Sequence, residues 1–332
     1  MIQRKLVVSG FGTVGRAFVR LVLERNLLSR LSIVAIVDSR GAAIKKNGFS
    51  ASELLNALSM PRSHVSKLQK WGVPSIDTRG VLEEVDANVL VELTPSNYTD
   101  GEPGLSNVRV AMDRGMDIVL ANKSPLALEG LELMRKAERK GIRILYRATV
   151  MGGTPLIPLI SSIKNSIRSI HGILNATTNY ILTRMCEDKI PFSEALRRAQ
   201  EEGIAEADPT LDIDGYDPAA KLAILACTLG YDLRIHDIER ESLRSLDLEE
   251  VLRSLQESSV PKYVARLEIS DSKPRASVRV EYIGPTDPLI AIRGMYNGVH
   301  IRTLENEIFL MGMGAGGRVT AEAVLEDVLS LG

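Results

Sequence analysis

The sequence predicts an α/β protein: a doubly wound parallel sheet followed by a second, α+β domain. Three observations carry this expectation. A glycine-rich turn stands between an apolar strand and an amphipathic helix near the start of the chain. Short apolar runs then alternate with helical stretches up to Tyr146, and beyond Lys262 period-2 segments take over. A length of 332 residues suits about two domains. The expected division is a dinucleotide-binding domain formed by 1–146 with 309–332, and a second domain at 147–308.

The elements follow in order. Leu6–Gly10 (LVVSG) reads as a strand, and Val14, Phe18, Leu21 and Val22 fall on one face of the helix after it. Between them lie Gly10, Phe11, Gly12, Thr13, Val14 and Gly15, a GxGxxG turn that lets backbone approach a pyrophosphate at a helix start. A second strand, Ile33–Val37, ends in Asp38, 23 residues beyond Gly15, where a ribose-binding acid belongs. This is the Rossmann-type pattern. Asp38 favours NAD through the ribose 2′-hydroxyl, whereas Arg40 could meet the 2′-phosphate of NADP, so both cofactors stay open. Asn88–Leu93 and Met116–Ala121 are further strands, running into Thr94-Pro95-Ser96-Asn97 and Asn122-Lys123-Ser124-Pro125. Their carboxyl ends suit a cofactor rim. Lys123 there reads equally well as a solvated loop lysine.

After a strand at Arg143–Tyr146 comes ATVMGGTPLIPLI, then a strand Ser169–Asn175 and helices near Asn179–Lys189 and Ser193–Glu202. VARLEIS, SVRVEYI, VHIRTL and EIFLMG read as antiparallel strands. A glycine loop, MGMGAGG, and a helix with Val319, Ala323, Val324 and Val328 on one face end the chain, best used by packing back on the nucleotide domain.

Composition excludes several classes. Lysine plus arginine number 41 against 42 acids, so nothing steers the chain to nucleic acid or anionic lipid. Cys186 and Cys227 have no CxxC spacing, and the four histidines are scattered, which disfavours a disulfide framework or structural zinc. No GxSxG elbow is present. No room for a signal peptide is seen and no apolar run reaches the ~18 residues of a membrane span, so the expected location is the cytoplasm.

The stretch EADPTLDIDGYDPAAK, Glu206–Lys221, carries five carboxylates and closes on a lysine. As a calcium loop it fails at both ends, with Thr210 in the first ligand position and Lys221 in the twelfth. No metal is therefore expected. Asp217 suits the cap of the helix opening at Pro218, with Lys221 four residues on along the same face. Asp208 and Asp214 suit turns.

With GFGTVGRA, ANKSPLA, GGTP, LNATTNYIL, EGIAEADPTLDIDGYDPAAKLAILA and GMGAGGRVTAEAV in order, the chain resembles homoserine dehydrogenase. The resemblance implies NAD(P)H-dependent reduction of aspartate 4-semialdehyde to homoserine, on the route to threonine and methionine, by a homodimer whose later strands build the interface. It makes Lys221 and Lys123 the catalytic pair, with Lys221 the proton donor. Glu206 and Asp217 become substrate-binding acids, with Asp212 a further one, and Gly203 and Gly314 join the cofactor-binding residues. It also places Arg147 where the family has a glutamate that, with carbonyls matching Val150, Gly152 and Thr154, holds sodium or potassium. Arginine has only donors, so that site is expected to be absent or weakened. Ala176 replaces a common glycine. No amino-acid-sensing domain follows Gly316, so strong threonine feedback is not expected. A dehydrogenase of similar build for another small amino acid should lack Glu206 and the Asp217–Lys221 pair, and a silent cofactor sensor should lack the lysines.

Overall fold

A computed structural model describes residues 3–270, 273–314 and 316–332. Two compact units form. The first takes the chain up to Pro125, together with Glu132–Thr149 and Gly316–Gly332; the second takes Leu126–Leu131 and the stretch from Val150 into the glycine loop.

The first unit is built on seven strands: β1 (Arg4–Ser9), β2 (Leu31–Asp38), β3 (Gly41–Ile44), β4 (Gly72–Pro74), β5 (Val89–Glu92), β6 (Asp117–Leu120) and β7 (Ile144–Leu145), in the order β4-β3-β2-β1-β5-β6-β7. β2, β1, β5, β6 and β7 are parallel, while β3 and β4 turn back as an antiparallel edge. The parallel strands are apolar throughout because both faces are covered. Leu6, Val8, Val89, Val91 and Val119 join one cluster with α1 (Thr13–Glu24), α2 (Ala51–Ser59) and the C-terminal helix. Val7, Leu90 and Ile118 alternate to the other face and are fully buried, beside α3 (Thr78–Glu84) and α4 (Gly104–Asp113). The order reverses direction between β1 and β5, which creates a switch-point crevice at their carboxyl ends. Helix α5 (Ser124–Lys140) follows β6.

In the second unit, α6 (Leu156–Ile163) leads to β8 (Ile167–Ile173), then α7 (Ala176–Asp188), α8 (Phe192–Glu201), α9 (Thr210–Ile213) and α10 (Tyr216–Thr228). β9 (Glu239–Arg240) and α11 (Leu248–Gln256) precede β10 (Val260–Glu268), β11 (Arg275–Ile283), β12 (Tyr296–Thr303) and β13 (Glu307–Met313). These strands form one sheet, β13-β12-β8-β10-β11-β9, antiparallel except for the short β9–β11 pairing. Helix α12 (Gly317–Ser330) returns to the first unit and packs on α1, where Arg318 meets Glu24 at 2.8 Å.

Two expectations are corrected. Helix α7 starts at Ala176, because the Asn175 side chain accepts from the Thr178 backbone N–H and caps it three residues earlier than periodicity suggested. Asp217 is not a cap: α10 begins at Tyr216 behind a left-handed Gly215, which places Asp217 inside the first turn. The β3–β4 edge was not foreseen, since three or four residues of Gly, Ala and Pro carry little pattern.

Candidate active site

The glycine turn is shaped by close approach. Gly10 has φ +98°, and a Cβ there would lie 2.6 Å from the Leu93 carbonyl group at the end of β5. A Cβ on Gly15 would lie 2.1 Å from the Gly10 carbonyl oxygen. At Gly12 a Cβ would meet nothing within 4 Å, so this is the open side of the turn. Gly12 also caps α1 without a side-chain hydrogen bond, and no acid lies in the first turn. The first amides of α1 therefore face open space with the positive end of the helix dipole, as a pyrophosphate needs. Thr13 accepts from Arg62 at 2.9 Å, and a Cβ on Gly317 would touch the Thr13 methyl, so α12 begins beside the start of α1. Phe11 is buried beneath the Arg16 guanidinium, and the Val14 side chain packs on the α1 core.

Asp38 ends β2. One carboxylate oxygen accepts the Arg40 backbone N–H at 2.9 Å and the other the Val65 N–H at 2.8 Å. These bonds hold the acid in place, and each oxygen keeps a lone pair for a ribose hydroxyl. Arg40 is exposed beside it. Arg62, exposed and bonded to Thr13, is a second cation of this rim that sequence reading missed; no motif singles it out.

Beyond β5, Thr94 gives its N–H and hydroxyl to the fully buried Glu92 carboxylate, and its oxygen accepts from Asn122. The Pro95 carbonyl also receives Asn122, at 3.4 Å. Lys123 occupies the N-cap position of α5, its backbone N–H on the Ser96 hydroxyl. Glu92 thus shapes the Thr94-Pro95 loop, a role that its place in an apolar strand concealed.

The second unit assembles the acidic stretch around a buried lysine. Lys221 is only 8% exposed, and its ammonium donates to the Asp217 carboxylate at 2.7 Å and the Leu174 carbonyl at 2.5 Å. The spacing of four residues on α10 makes the first contact, and the end of β8 supplies the second. Asn175 then joins two acids: its amide donates to Asp212 at 2.7 Å and to Asp217 at 2.9 Å. Burial, and next the nearby Asp217 charge, push the Asp212 carboxyl above the usual carboxylate range. A pair of acids in this state gains from an added cation. Asn175 lies in the quoted LNATTNYIL motif, yet reading it as strand end hid its function as a hub. Ala176 beside it has a use too, since a Cβ on Gly314 would lie 2.7 Å from the Ala176 methyl and 2.6 Å from the Asn297 amide oxygen. Only a small residue fits at either position.

Glu206 is not drawn into this cluster. It stands on an exposed turn after α8, where Gln200 holds its carbonyl at 3.2 Å. Gly203, at φ +70° on the same turn, is exposed with open space around it. Asp208 accepts the Thr210 N–H at 3.1 Å and shapes its turn, while Asp214 holds Ser242 and Arg244 at 2.5 and 3.2 Å. Arg147 turns to α12: its N–H and Nε lie 2.8 and 3.1 Å from the two Asp327 oxygens. A donor-only side chain already paired does not fit an alkali-metal ligand.

An open glycine cradle at the switch point and a lysine held among acids define a dinucleotide-dependent oxidoreductase. Two family models match: "Homoserine dehydrogenase, NAD binding domain" over residues 10–147 and "Homoserine dehydrogenase" over 155–329. A homoserine dehydrogenase of Methanocaldococcus jannaschii is 34% identical, covering 98% of each chain. An NAD(+)-dependent homoserine dehydrogenase of Pseudomonas canavaninivorans is 33% identical over 100% of this chain and 97% of its own. Among solved structures, a hyperthermophilic archaeal homoserine dehydrogenase in complex with NADPH superposes with a TM-score of 0.84 at 30% identity, covering 99% and 97%. The chain belongs to the homoserine dehydrogenase family.

Proposed function

We propose that this chain interconverts L-aspartate 4-semialdehyde and L-homoserine with NAD(P), as a cytoplasmic homodimer. The observation that carries the reading is the Lys221 ammonium, buried and held by Asp217 and the Leu174 carbonyl. NAD(P)H held by the Gly10–Gly15 turn, Asp38 and Arg40 would supply the hydride for the aldehyde carbon. Lys221 then stabilises the developing alkoxide and gives it a proton, and Lys123 is the second member of the pair. Asp217 and Asp212, tied by Asn175, receive the substrate's ammonium group, with Glu206 closing from its turn. The free cysteines Cys186 and Cys227 suit a reducing compartment, and among the described residues no helix is long and apolar enough to cross a membrane.

Initial rates of homoserine oxidation with NAD and with NADP test this. Lys221→Ala should lower kcat/KM by roughly 10²- to 10⁴-fold with either cofactor; a near-normal rate would remove Lys221 from the chemistry. Arg40→Ala should raise KM for NADP and leave NAD nearly unchanged.

Because Arg147 is committed to Asp327, no alkali-metal ion is assigned a role. Rates at fixed ionic strength should not change as sodium replaces potassium or either replaces a bulky organic cation. Saturable activation by one of them would overturn this.

A further inference from the structure

The sheet of the second unit carries two histidines that the chemistry above does not use. His171 on β8 and His300 on β12 are directly opposed partners in the antiparallel pairing. Their rings lie 4.8 Å apart at 66°, and both residues are 5% exposed or less. The Nδ1 atoms of both are buried with no hydrogen-bond partner. Across the sheet, His171 stands opposite Arg266 of β10 and His300 opposite Phe309 of β13. Buried imidazole nitrogens without a partner are out of place unless something else meets them.

The third member is Asp287. One of its oxygens caps the short 3-10 turn Pro288–Ala291 through the Leu289 N–H at 2.9 Å, while the other faces His171 Nε2 at 3.9 Å. Among the described residues, ligand atoms from His171, Asp287 and His300 all lie within 4.8 Å of one another. Glu307 completes the pattern, with its carboxylate 3.0 Å from His300 Nε2. A proton on His300 Nε2, directed to Glu307, would leave a bare lone pair at Nδ1. A carboxylate behind a histidine is the usual outer partner of a metal ligand.

We propose that His171, Asp287 and His300 bind a first-row divalent metal ion of the zinc class, with water in the fourth position. Bonds of about 2.0–2.1 Å set tetrahedral ligands roughly 3.3 Å apart, so the side chains must draw in by up to about 1.5 Å on binding. Rotation of the three side chains would have to supply this. Burial, above all, disfavours the charged form of His171. Arg266 and Arg302 also face His171. Each is already paired, Arg266 with Glu281 at 2.6 Å and Arg302 with Glu307 at 3.1 Å, which limits their repulsion of a cation.

The ion would pin the 287–291 segment to the middle of the sheet. That segment runs on to Gly294 and Tyr296, whose carbonyls receive the Asn179 amide of α7. Helix α7 is the one that Asn175 opens. The metal is therefore a brace, and homoserine oxidation itself should not require it.

The test uses the full chain, freed of metal by a chelator and then titrated with Zn²⁺. Expected are one Zn²⁺ per chain by calorimetry and metal analysis, a melting temperature that rises with free Zn²⁺, and Co²⁺ absorption bands typical of nitrogen and oxygen ligation. The His171→Gln/His300→Gln double variant should bind at least a hundredfold more weakly. Glu307→Gln should weaken binding about tenfold to a hundredfold through His300. Absence of stoichiometric uptake by the wild type would overturn the proposal, as would wild-type affinity in the folded double variant. Should the double variant not fold, Asp287→Asn, which can still cap the 3-10 turn, decides by the same measurement.

Discussion

At the scale of single residues, Asn175 does two things that can be separated. Its side-chain oxygen caps α7 through Thr178, and its amide N–H groups hold Asp212 and Asp217. Loss of the cap alone costs about 1 kcal/mol. Loss of the amide removes the donor that ties the two neighbouring carboxylates together, and the acids should spread. Asn175→Ala removes both functions, whereas Asn175→Asp keeps the cap and destroys the hub. Both variants should raise KM for homoserine more than tenfold while KM for the cofactor stays close to wild type. Only the alanine variant should lose the cap's share of stability. A normal homoserine KM in Asn175→Asp would reduce Asn175 to a cap. The same residue marks the limit of reading the chain alone. Lys221 and Asp217 are four apart, so their pairing follows from helical geometry. The partner that joins Asp217 to Asp212 lies 42 residues upstream of Asp217, and no local pattern announces it.

At the scale of elements, strong periodicity identified β1, β2, β5, α1 and the four long antiparallel strands: most bury a regular face, and β13 alternates exposed with half-buried residues. Elements held by few contacts left weaker traces: β3, β4, β9 and α9 are two to four residues long. Arg147 illustrates the difference between noticing a residue and placing it. As a departure from the family it was legible, but its partner stands 180 residues away on α12. Burial, only partly offset by Arg147, raises Asp327 to about 6 from its model-peptide 3.8. A carboxyl whose folded pKa is raised binds more protons in the folded state between those values. Stability is therefore lost as pH climbs from about 4 to about 6, and the deficit persists above. The deficit is at most roughly 3 kcal/mol. Asp327→Asn should match wild type near pH 4 and become the more stable protein by pH 7, by urea unfolding of both across this range. A difference that does not change with pH would show that Asp327 is charged throughout and fully compensated.

At the scale of the whole molecule, the second unit carries an exposed apolar edge. Strand β13 pairs on one side with β12, and Phe309, Met311 and Met313 alternate along it, 39%, 48% and 47% exposed. Tyr296, opposite Met313, adds another exposed ring at 44%. These side chains form one stripe on an edge strand, a feature that isolated soluble chains avoid because it invites association. The proposed homodimer would bury this stripe, a two-fold axis setting the same four side chains against themselves. Their polar neighbours on β13, such as Glu307, would form a rim. Phe309→Asp/Met311→Glu places two like charges in each copy at this seam, hence four across the axis, and the backbone of the exposed edge can accept them without strain. Sedimentation equilibrium should give a dimer for the wild type and a monomer for the double variant over micromolar concentrations. The monomer should keep its circular dichroism and cofactor binding, because the glycine turn Gly10–Gly15, Asp38 and Arg40 lie in the first unit. A double variant that sediments as the wild-type dimer would move the interface away from β13.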